Sequence, residues 1–243
     1  MSKYRNLLPQ ISGKKFITEG GLETTLVFHD GIELPNFAAF SLLKTIEGEN
    51  RLKEHYRQYA DIAIANKVGF ILDSVTWRAS SDWGALMGYS DIALDAINKQ
   101  SVKLLDDLRD ELETDYSPMV ISGCIGPRSD GYNPDFFMSI EEAKKYHATQ
   151  IKSFNESSAD MVTAMTITYV EEAIGIVKAA KAENIPVVIS FTVETDGHLP
   201  SGQSLKDAID QVDDATDSAP AYYMINCAHP EHFKNELVGD GRW

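Results

Sequence analysis

A short apolar run near the end of the chain, Tyr222–Ile225, is followed by side chains that can do chemistry. Asn226, Cys227 and His229 supply an amide, a thiol and an imidazole in the first residues after this run. The run itself predicts a buried strand, and in a parallel α/β barrel the groups that act on a ligand lie at such strand ends. Cys227 is therefore a candidate metal ligand or reactive thiol. The alternative is that Cys227 is a small core residue, since free cysteines are commonly buried.

A second group of polar residues follows the first predicted strand, Lys15–Thr18. Its candidate ligand-binding members are Glu19, Gly20, Gly21 and Thr24. Two adjacent glycines allow either a tight turn or the close approach of a ligand to the backbone. The glutamate and the threonine supply polar groups beside them. An ordinary turn is the competing interpretation of this segment.

The elements that must position these residues alternate along the chain. Six apolar runs predict strands, and a helical pattern follows each of them. The predicted strands are Lys15–Thr18, Phe70–Arg78, Pro118–Pro127, Ala159–Thr168, Val187–Val193 and Tyr222–Ile225. This alternation favours an α/β fold with a parallel sheet covered by helices. Polar residues at the strand ends favour a (β/α)8 TIM-type barrel over a doubly wound sheet.

A complete barrel of this type has eight strands, and the sequence predicts six. We therefore expect residues 1–243 to form one barrel domain that is incomplete at its C-terminal end. The first and last strands would then have unpaired edges. Such edges favour association between chains, including a homo-oligomer.

Helix ends are marked by local signals. One helix is predicted from about Glu49 to Lys67, with Gly69 as the residue that stops it. Capping boxes predict two further helix starts, one at Ser139 with Glu142 and one at Thr168 with Glu171.

The charge balance excludes several classes of partner. The chain has 22 basic and 37 acidic residues and a net charge of −15, which is the wrong sign for nucleic acid or an anionic membrane surface. No apolar run approaches the about 20 residues of a membrane span, and the N-terminus lacks the apolar core of a secretory signal. We expect a cytoplasmic protein without a nucleic-acid or membrane partner. Its two cysteines, Cys124 and Cys227, lie on different predicted strands and do not indicate a disulfide framework.

Four motifs, taken in order, resemble those of the homocysteine S-methyltransferase family. They are Glu19-Gly20-Gly21-Leu22-Glu23-Thr24, Ser122-Gly123-Cys124-Ile125-Gly126-Pro127, Ser190-Phe191-Thr192 with Gly202-Gln203-Ser204, and Ile225-Asn226-Cys227. No single motif carries the resemblance. Their order and their placement at strand ends make it specific, and it covers almost the whole chain.

The resemblance implies an enzyme that transfers a methyl group from a small donor to homocysteine, giving methionine. The family holds zinc with three cysteines, one in an Asn-Cys pair after the sixth strand and two in a Gly-Gly-Cys-Cys motif after the last. Cys227 matches the first, and the other two have no counterpart in the chain. Zinc bound by thiolates deprotonates a substrate thiol that enters its open position. The resemblance thus implies zinc as cofactor, with weak zinc binding and slow turnover expected of this chain alone.

The resemblance also implies roles for individual residues. An acidic residue before the paired glycines helps build the family's homocysteine site, and Glu19 holds that position. Asn226 would orient the loop that carries the metal ligand. Many relatives carry a glutamate in the fourth strand for the amino group of the substrate, whereas this chain has Met165 there. The amino-acid end of the substrate would then be bound differently, with Asp73 as the candidate.

Three alternatives stay open. Cys227, His229 and His232, at offsets of two and five, are all zinc-binding residue types and would form a metal site without the missing cysteines. The chain would otherwise be a non-catalytic thiol- or amino-acid-binding barrel remnant. An aldolase-type barrel would need a lysine at a strand tip, and none of the six predicted strands carries one. The identity of the methyl donor is also open.

Other polar residues have ordinary structural interpretations. Cys124 is predicted to be a core thiol, and His55 and His147 are predicted to be surface or packing residues of helices. The pair Glu171-Glu172 is predicted to lie on a solvated helix face.

Overall fold

The computed structural model of the protein describes residues 1–132, 134 and 136–237. The chain forms two compact units, one from residues 1–124 with 152–161 and the other from residues 125–151 with the chain from 162 onward. Each unit contains three parallel strands whose order in the sheet follows their order along the chain. The predicted α/β fold of alternating strands and helices is confirmed.

The first unit holds the strands that precede two of the candidate segments. Its strands are β1 (Phe16–Thr18), β2 (Gly69–Asp73) and β3 (Met119–Ile125, in this unit up to Cys124). Its helices are α1 (Leu22–Thr24), α2 (Ile46–Asn66), α3 (Ser81–Leu86) and α4 (Asp91–Leu112). Ile17 pairs with Phe70 across β1 and β2, and Asp73 pairs with Ser122 across β2 and β3. Glu19 therefore follows β1 and Asp73 ends the neighbouring β2, at the same end of the sheet.

The second unit holds the strand that leads to Cys227. Its strands are β4 (Met161–Ile167, in this unit from Val162), β5 (Val187–Phe191) and β6 (Tyr223–Ile225). Its helices are α5 (Ile140–Asn155, in this unit up to Ile151), α6 (Val170–Glu183), α7 (Leu205–Thr216) and α8 (Pro230–Phe233). Ser190 pairs with Met224 in the register of β5 and β6.

Burial of the strands follows the expectation for a helix-covered parallel sheet. All residues of β2, β3 and β5 are buried, as is typical of parallel strands with helices on their faces. The strands β1 and β6 are not fully buried. Among the described strands each of these two pairs with a single neighbour.

The second predicted strand is shorter than its sequence suggested. Polar side chains begin at Asp73, and the chain leaves the sheet there instead of continuing to Arg78. The preceding helix ends at Asn66, close to its predicted end, and its C-cap Lys67 adopts a left-handed conformation with φ of 55° and donates its backbone N–H to Ala63 and Ile64. Gly69 is the first residue of β2, where a Cβ atom would lie 2.2 Å from the ring of Phe16. This glycine is therefore required for packing, and the prediction that it stops the helix is wrong.

One capping box is confirmed and the other is wrong. The Ser139 backbone N–H donates to Glu142 at 2.8 Å, and the Glu142 N–H donates to Ser139 Oγ at 3.4 Å. At α6, which starts at Val170, the capping residue is Tyr169, so that Thr168 lies one residue before the cap.

A buried carboxylate ties together three segments of the first unit. Asp160 is fully buried and accepts hydrogen bonds from the backbone N–H groups of Lys3, Tyr4 and Ile121 at 2.7–2.9 Å. It also accepts one from Arg109 Nη1 at 2.7 Å. Buried charges are tolerated when their lone pairs are filled in this way.

Among the described residues, no helix combines the length and the apolar character that a membrane span requires.

Candidate functional site

Asn226 organises the end of β6 in the second unit. Its side-chain oxygen accepts hydrogen bonds from the Thr166 backbone N–H at 2.9 Å and from Ser190 Oγ at 2.7 Å. Its amide nitrogen donates to Thr166 Oγ1 at 2.8 Å and to Cys227 Sγ at 3.2 Å. One side chain thus links the C-terminal ends of three neighbouring strands and holds the cysteine sulfur.

The residues that Asn226 contacts have unusual backbone conformations. Thr166 has φ of 62° and Cys227 has φ of 54°, and the left-handed region is a true outlier for a β-branched residue such as threonine. The register between β4 and β5 shifts between Ala164 and Ile167, as at a β-bulge, which re-aims side chains. Met165 lies in this bulge and is the one residue of β4 that is not fully buried.

Cys227 is exposed, so that the interpretation as a core residue is wrong. Its sulfur lies near two polar groups, Asn226 Nδ2 and Thr166 Oγ1, the latter at 3.9 Å. Neither group is a preferred zinc ligand. No cluster of three or more His, Cys, Asp or Glu side chains suited to a metal is present in the part of the chain that the structure describes. At the end of β6 the described residues therefore supply one thiol, and they do not by themselves fit a complete zinc site.

The alternative site of Cys227, His229 and His232 is not assembled. His229 caps α8 by accepting a hydrogen bond from the Glu231 backbone N–H at its Nδ1 atom, at 3.2 Å. The rings of His229 and His232 lie 5.8 Å apart and tilted against each other. The two histidines thus have a local structural role at the start of α8.

The first unit brings Glu19 and Asp73 together with Tyr56. Asp73 is 4% exposed, and burial raises its pKa to about 7, against the opposing effect of a hydrogen bond with Ser122. Burial, and then the charge of Asp73, raise the pKa of Glu19 well above its usual range. Glu19 Oε2 and Asp73 Oδ1 are both buried without a hydrogen-bond partner among the described residues. Two acceptors that lack donors in this way are suited to a ligand that brings N–H groups.

The paired glycines place the chain close to a tyrosine. A Cβ atom at Gly20 would lie 2.6 Å from the Tyr59 hydroxyl oxygen, and Gly21 is the N-cap of α1. Neither glycine has a positive φ, so that close approach, and not turn geometry, explains Gly20. Thr24 ends α1 and is exposed. Tyr56 donates its hydroxyl to the backbone oxygen of Asp73, which fixes α2 against the end of β2.

Arg78 lies in the segment after β2, between two indole rings. Its guanidinium carbon is 4.0 Å from the ring centroid of Trp77 and 3.7 Å from that of Trp83. Arg78 is buried. Sequence reasoning missed this arrangement, although two tryptophans flanking an arginine are a signal for cation–π contact.

A second buried pair was also missed. His147 on α5 and Glu172 on α6 are fully buried, with Nε2 and Oε1 hydrogen-bonded at 2.9 Å. Glu172 Oε1 also accepts a hydrogen bond from the Arg128 backbone N–H at 2.8 Å. The prediction of a solvated face is therefore wrong for Glu172. Its signal in the sequence is weak, since consecutive glutamates at a helix start are usually exposed.

The other predicted structural residues have packing roles. Cys124 is buried, which confirms the core thiol. His55 is buried against the rings of Tyr56 and Tyr59, and burial lowers its pKa to about 4. It is therefore a neutral packing residue at physiological pH.

The fold and its strand-end polar groups define an α/β protein of the (β/α)-barrel type, and solved structures match it. The homocysteine methyltransferase MmuM from Escherichia coli in its metallated form superposes with a TM-score of 0.75 at 19% identity, over 93% of this chain and 79% of that one. The oxidized form of the same enzyme gives a TM-score of 0.73 at 18% identity, over 95% and 79%. At this identity the likeness concerns the fold.

The family follows from the sequence profile. The homocysteine S-methyltransferase profile matches residues 16–238, and the chain belongs to this family of methyltransferase enzymes. A search of curated protein sequences finds no match. The resemblance inferred from the four motifs is confirmed, and so is the enzyme class.

Proposed function

We propose that this protein transfers a methyl group from a small donor to the thiol of homocysteine, giving methionine. The observation that carries this proposal is the end of β6, where Asn226 holds the sulfur of an exposed cysteine in a chain of this family. The described end of β6 provides a fixed thiol that would be one ligand of a zinc ion, and such an ion would hold the homocysteine thiol in line with the methyl group of the donor. Such alignment of reacting groups supplies much of the rate in a methyl transfer that needs little acid–base chemistry.

Glu19 and Asp73 are proposed to bind the ammonium group of the acceptor. Both are acidic side chains with a buried oxygen that has no partner among the described residues. An ammonium group donates three hydrogen bonds, and its charge offsets the desolvation of a carboxylate. Met165 carries no charge and has only a weakly accepting sulfur, and the role of ammonium ligand is therefore proposed for Asp73. Gly20, Gly21 and Thr24 are proposed to contribute to the same binding site for the acceptor.

Zinc dependence is a proposal that the described residues support only in part. Cys227 supplies one thiolate, and a structural or catalytic zinc site needs three or four protein ligands. We therefore expect the chain to bind zinc weakly, because one thiolate does not replace three. Cytoplasmic location and the absence of a nucleic-acid partner stay predictions from composition. Association into a homo-oligomer stays a prediction from the unpaired edges of the first and last strands.

The test is methionine formation from homocysteine with a panel of methyl donors, in buffer supplied with zinc. We expect slow homocysteine-dependent turnover. It should fall by roughly tenfold or more in Cys227→Ser, because this change removes the sulfur that would bind the zinc. Cys124→Ser is the matched control, since it removes the other, buried thiol and should keep the activity. Equal rates in Cys227→Ser and the unmodified chain would show that the cysteine has no part in the reaction.

A second candidate is a protein that binds a thiol amino acid without catalysis. This candidate is favoured because Cys227 is the one thiol at the proposed metal position, and no cluster of three possible metal ligands occurs among the described residues. This candidate predicts homocysteine binding that is unchanged in Cys227→Ala, with no methionine formed under any condition. Calorimetric titration of both proteins separates it from the first candidate.

A further inference from the structure

The loop between β3 and α5, residues 126–139, is fastened at both of its ends to the start of α6. Near the beginning of the loop, the Arg128 backbone N–H donates to Glu172 Oε1 at 2.8 Å. Near its end, the Met138 backbone N–H donates to the Tyr169 hydroxyl oxygen at 3.0 Å. All of these groups lie in the second unit. The first turn of one helix thus holds two separate parts of the loop.

Aromatic contacts join the two ends of the loop to each other and to the helices. The Arg128 guanidinium carbon lies 4.9 Å from the ring centroid of Phe136 and 4.7 Å from that of Tyr146 on α5. A ring face attracts a cation over distances of up to about 6 Å. The ring of Phe137 packs edge-on against that of Tyr169, with 4.9 Å between the centroids. We call the loop neck the four residues Arg128, Phe136, Phe137 and Met138.

Glu172 is itself held firmly between α5 and α6. Its side chain is fully buried, and its Oε1 atom is also hydrogen-bonded to Nε2 of the equally buried His147 on α5, at 2.9 Å. One turn further along α6, a Cβ atom at Gly175 would lie 2.4 Å from the Cβ atom of Ala143, so that the two helices are in close contact there. Buried polar groups that are paired in this way make their surroundings rigid. The loop neck is therefore fastened to a rigid pair of helices.

The loop neck lies beside the strand end that carries the sulfur site. Tyr169 comes shortly after Thr166, the left-handed residue whose backbone N–H donates to Asn226. The Asn226 amide nitrogen in turn donates to Cys227 Sγ at 3.2 Å. The loop neck and these hydrogen bonds thus adjoin the same end of β4 and belong to the same unit. In α/β barrels, ligands are bound by the loops at this end of the strands.

We propose that Glu172 and Tyr169 are positioning residues, which hold the loop neck as one wall of the site that binds the acceptor thiol. The acceptor rests on the proposed methyl transfer, whereas the fastening of the loop rests on the hydrogen bonds alone. A wall that is fixed before the ligand arrives loses little conformational entropy on binding. Its release should therefore weaken the binding of the acceptor more than it slows methyl transfer in the bound complex.

The experiment is native-state hydrogen exchange of the Arg128 and Met138 amides, followed by NMR spectroscopy of the whole chain. Each amide exchanges only when its hydrogen bond opens. We expect Tyr169→Phe, which removes one hydroxyl group, to speed the exchange of both amides by roughly fivefold or more, because the loop neck opens as one unit. Faster exchange of Met138 alone would contradict the proposal, since the two ends would then be independent. Unchanged exchange of both amides would overturn it.

Variants of Glu172 test the other fastening point. Glu172→Ala should speed the exchange of both amides by roughly tenfold or more, because a buried acceptor is lost. Glu172→Gln keeps an acceptor oxygen and should restore slow exchange. Glu171→Ala is the matched control, since the neighbouring Glu171 is not fully buried, and it should behave as the unmodified protein. If Glu172→Ala does not fold, Tyr169→Phe decides the question, because its ring can still pack against Phe137.

Homocysteine distinguishes a wall of the site from a loop with a purely structural role. At saturating concentration it should slow the exchange of both amides in the unmodified protein by roughly threefold or more, because a ligand that contacts the loop neck stabilises its closed form. In the methyl-transfer assay, Tyr169→Phe should raise the KM for homocysteine roughly fivefold and change kcat by less than about twofold. A lower kcat at unchanged KM would contradict the positioning role.

The outcomes separate this inference from the proposed function. Methionine formation together with exchange that homocysteine leaves unchanged would overturn the wall and leave the proposed function intact. Slower exchange with homocysteine, but no methionine from any donor, would support the wall and count against the proposed function. Failure of both measurements would overturn both.

Discussion

Replacing Asp160 with alanine is expected to lower the free energy of unfolding by roughly 3–5 kcal/mol, the cost of breaking a buried ion pair by removing one partner. Arg109 is 3% exposed and would lose its fully buried carboxylate partner, keeping only the partly exposed Asp106. The backbone N–H groups of Lys3, Tyr4 and Ile121 would also lose their acceptor. Urea unfolding followed by circular dichroism measures the difference.

Asp106→Ala is the control for this prediction. Asp106 binds the same arginine, through Nη2 at 2.6 Å, but its side chain is 24% exposed. A partly solvated pair of this kind contributes about 1 kcal/mol or less. Similar losses in Asp160→Ala and Asp106→Ala would show that the buried network is not what holds these segments together.

Asp73→Asn is expected to change stability in the opposite direction, by an amount that grows as the pH rises from about 4 to about 7. The pKa of Asp73 is raised to about 7 in the folded protein, against about 3.9 in an unfolded chain. The folded state therefore binds this proton more tightly. Between about pH 4 and pH 7 the stability of the unmodified protein falls as the pH rises, and above pH 7 the full cost of the buried carboxylate is present.

The asparagine variant removes that cost. At pH 8 we expect Asp73→Asn to be more stable than the unmodified protein by on the order of a few kcal/mol, with little difference near pH 4. Asp95→Asn is a control of opposite sign, because a hydrogen bond from Ser153 lowers the pKa of Asp95. Unfolding midpoints over pH 4–8 test both. Parallel pH profiles for Asp73→Asn and the unmodified protein would mean that Asp73 ionises normally.

The same variant bears on ligand binding. If Asp73 receives the ammonium group of the acceptor, binding of homocysteine should tighten as the pH rises through about 7, because the carboxylate form is the one that attracts a cation. Asp73→Asn should bind less tightly at pH 8 while being the more stable protein. A stability gain together with a binding loss is difficult to explain by a purely structural role.

The sequence predicts the sheet because its signals are local. Continuous apolar runs bounded by polar residues fix β3 and β5 within two or three residues. The Asn226-Cys227 pair and the Glu19-Gly20-Gly21 segment were found because functional groups gather at strand ends in parallel α/β proteins. These features need no knowledge of distant contacts.

Features that depend on distant contacts were missed. The burial of Glu172 depends on His147, which lies 25 residues away in the sequence. The raised pKa of Asp73 depends on helices and strands that cover it, and the left-handed Thr166 depends on the amide of Asn226, 60 residues later. Local patterns predict the usual exposure and backbone conformation of each residue type. These residues differ from that expectation because the fold brings a specific partner to each of them.

The central claim is that Cys227 supplies a sulfur ligand for the metal of a methyltransferase site. Its most direct test is the zinc affinity of the purified chain, measured by competition with a chromophoric chelator. We predict one weakly bound zinc that is lost in Cys227→Ser and retained in Cys124→Ser. Zinc that is bound as tightly in Cys227→Ser as in the unmodified chain would contradict the claim, since the metal would then be held by other residues.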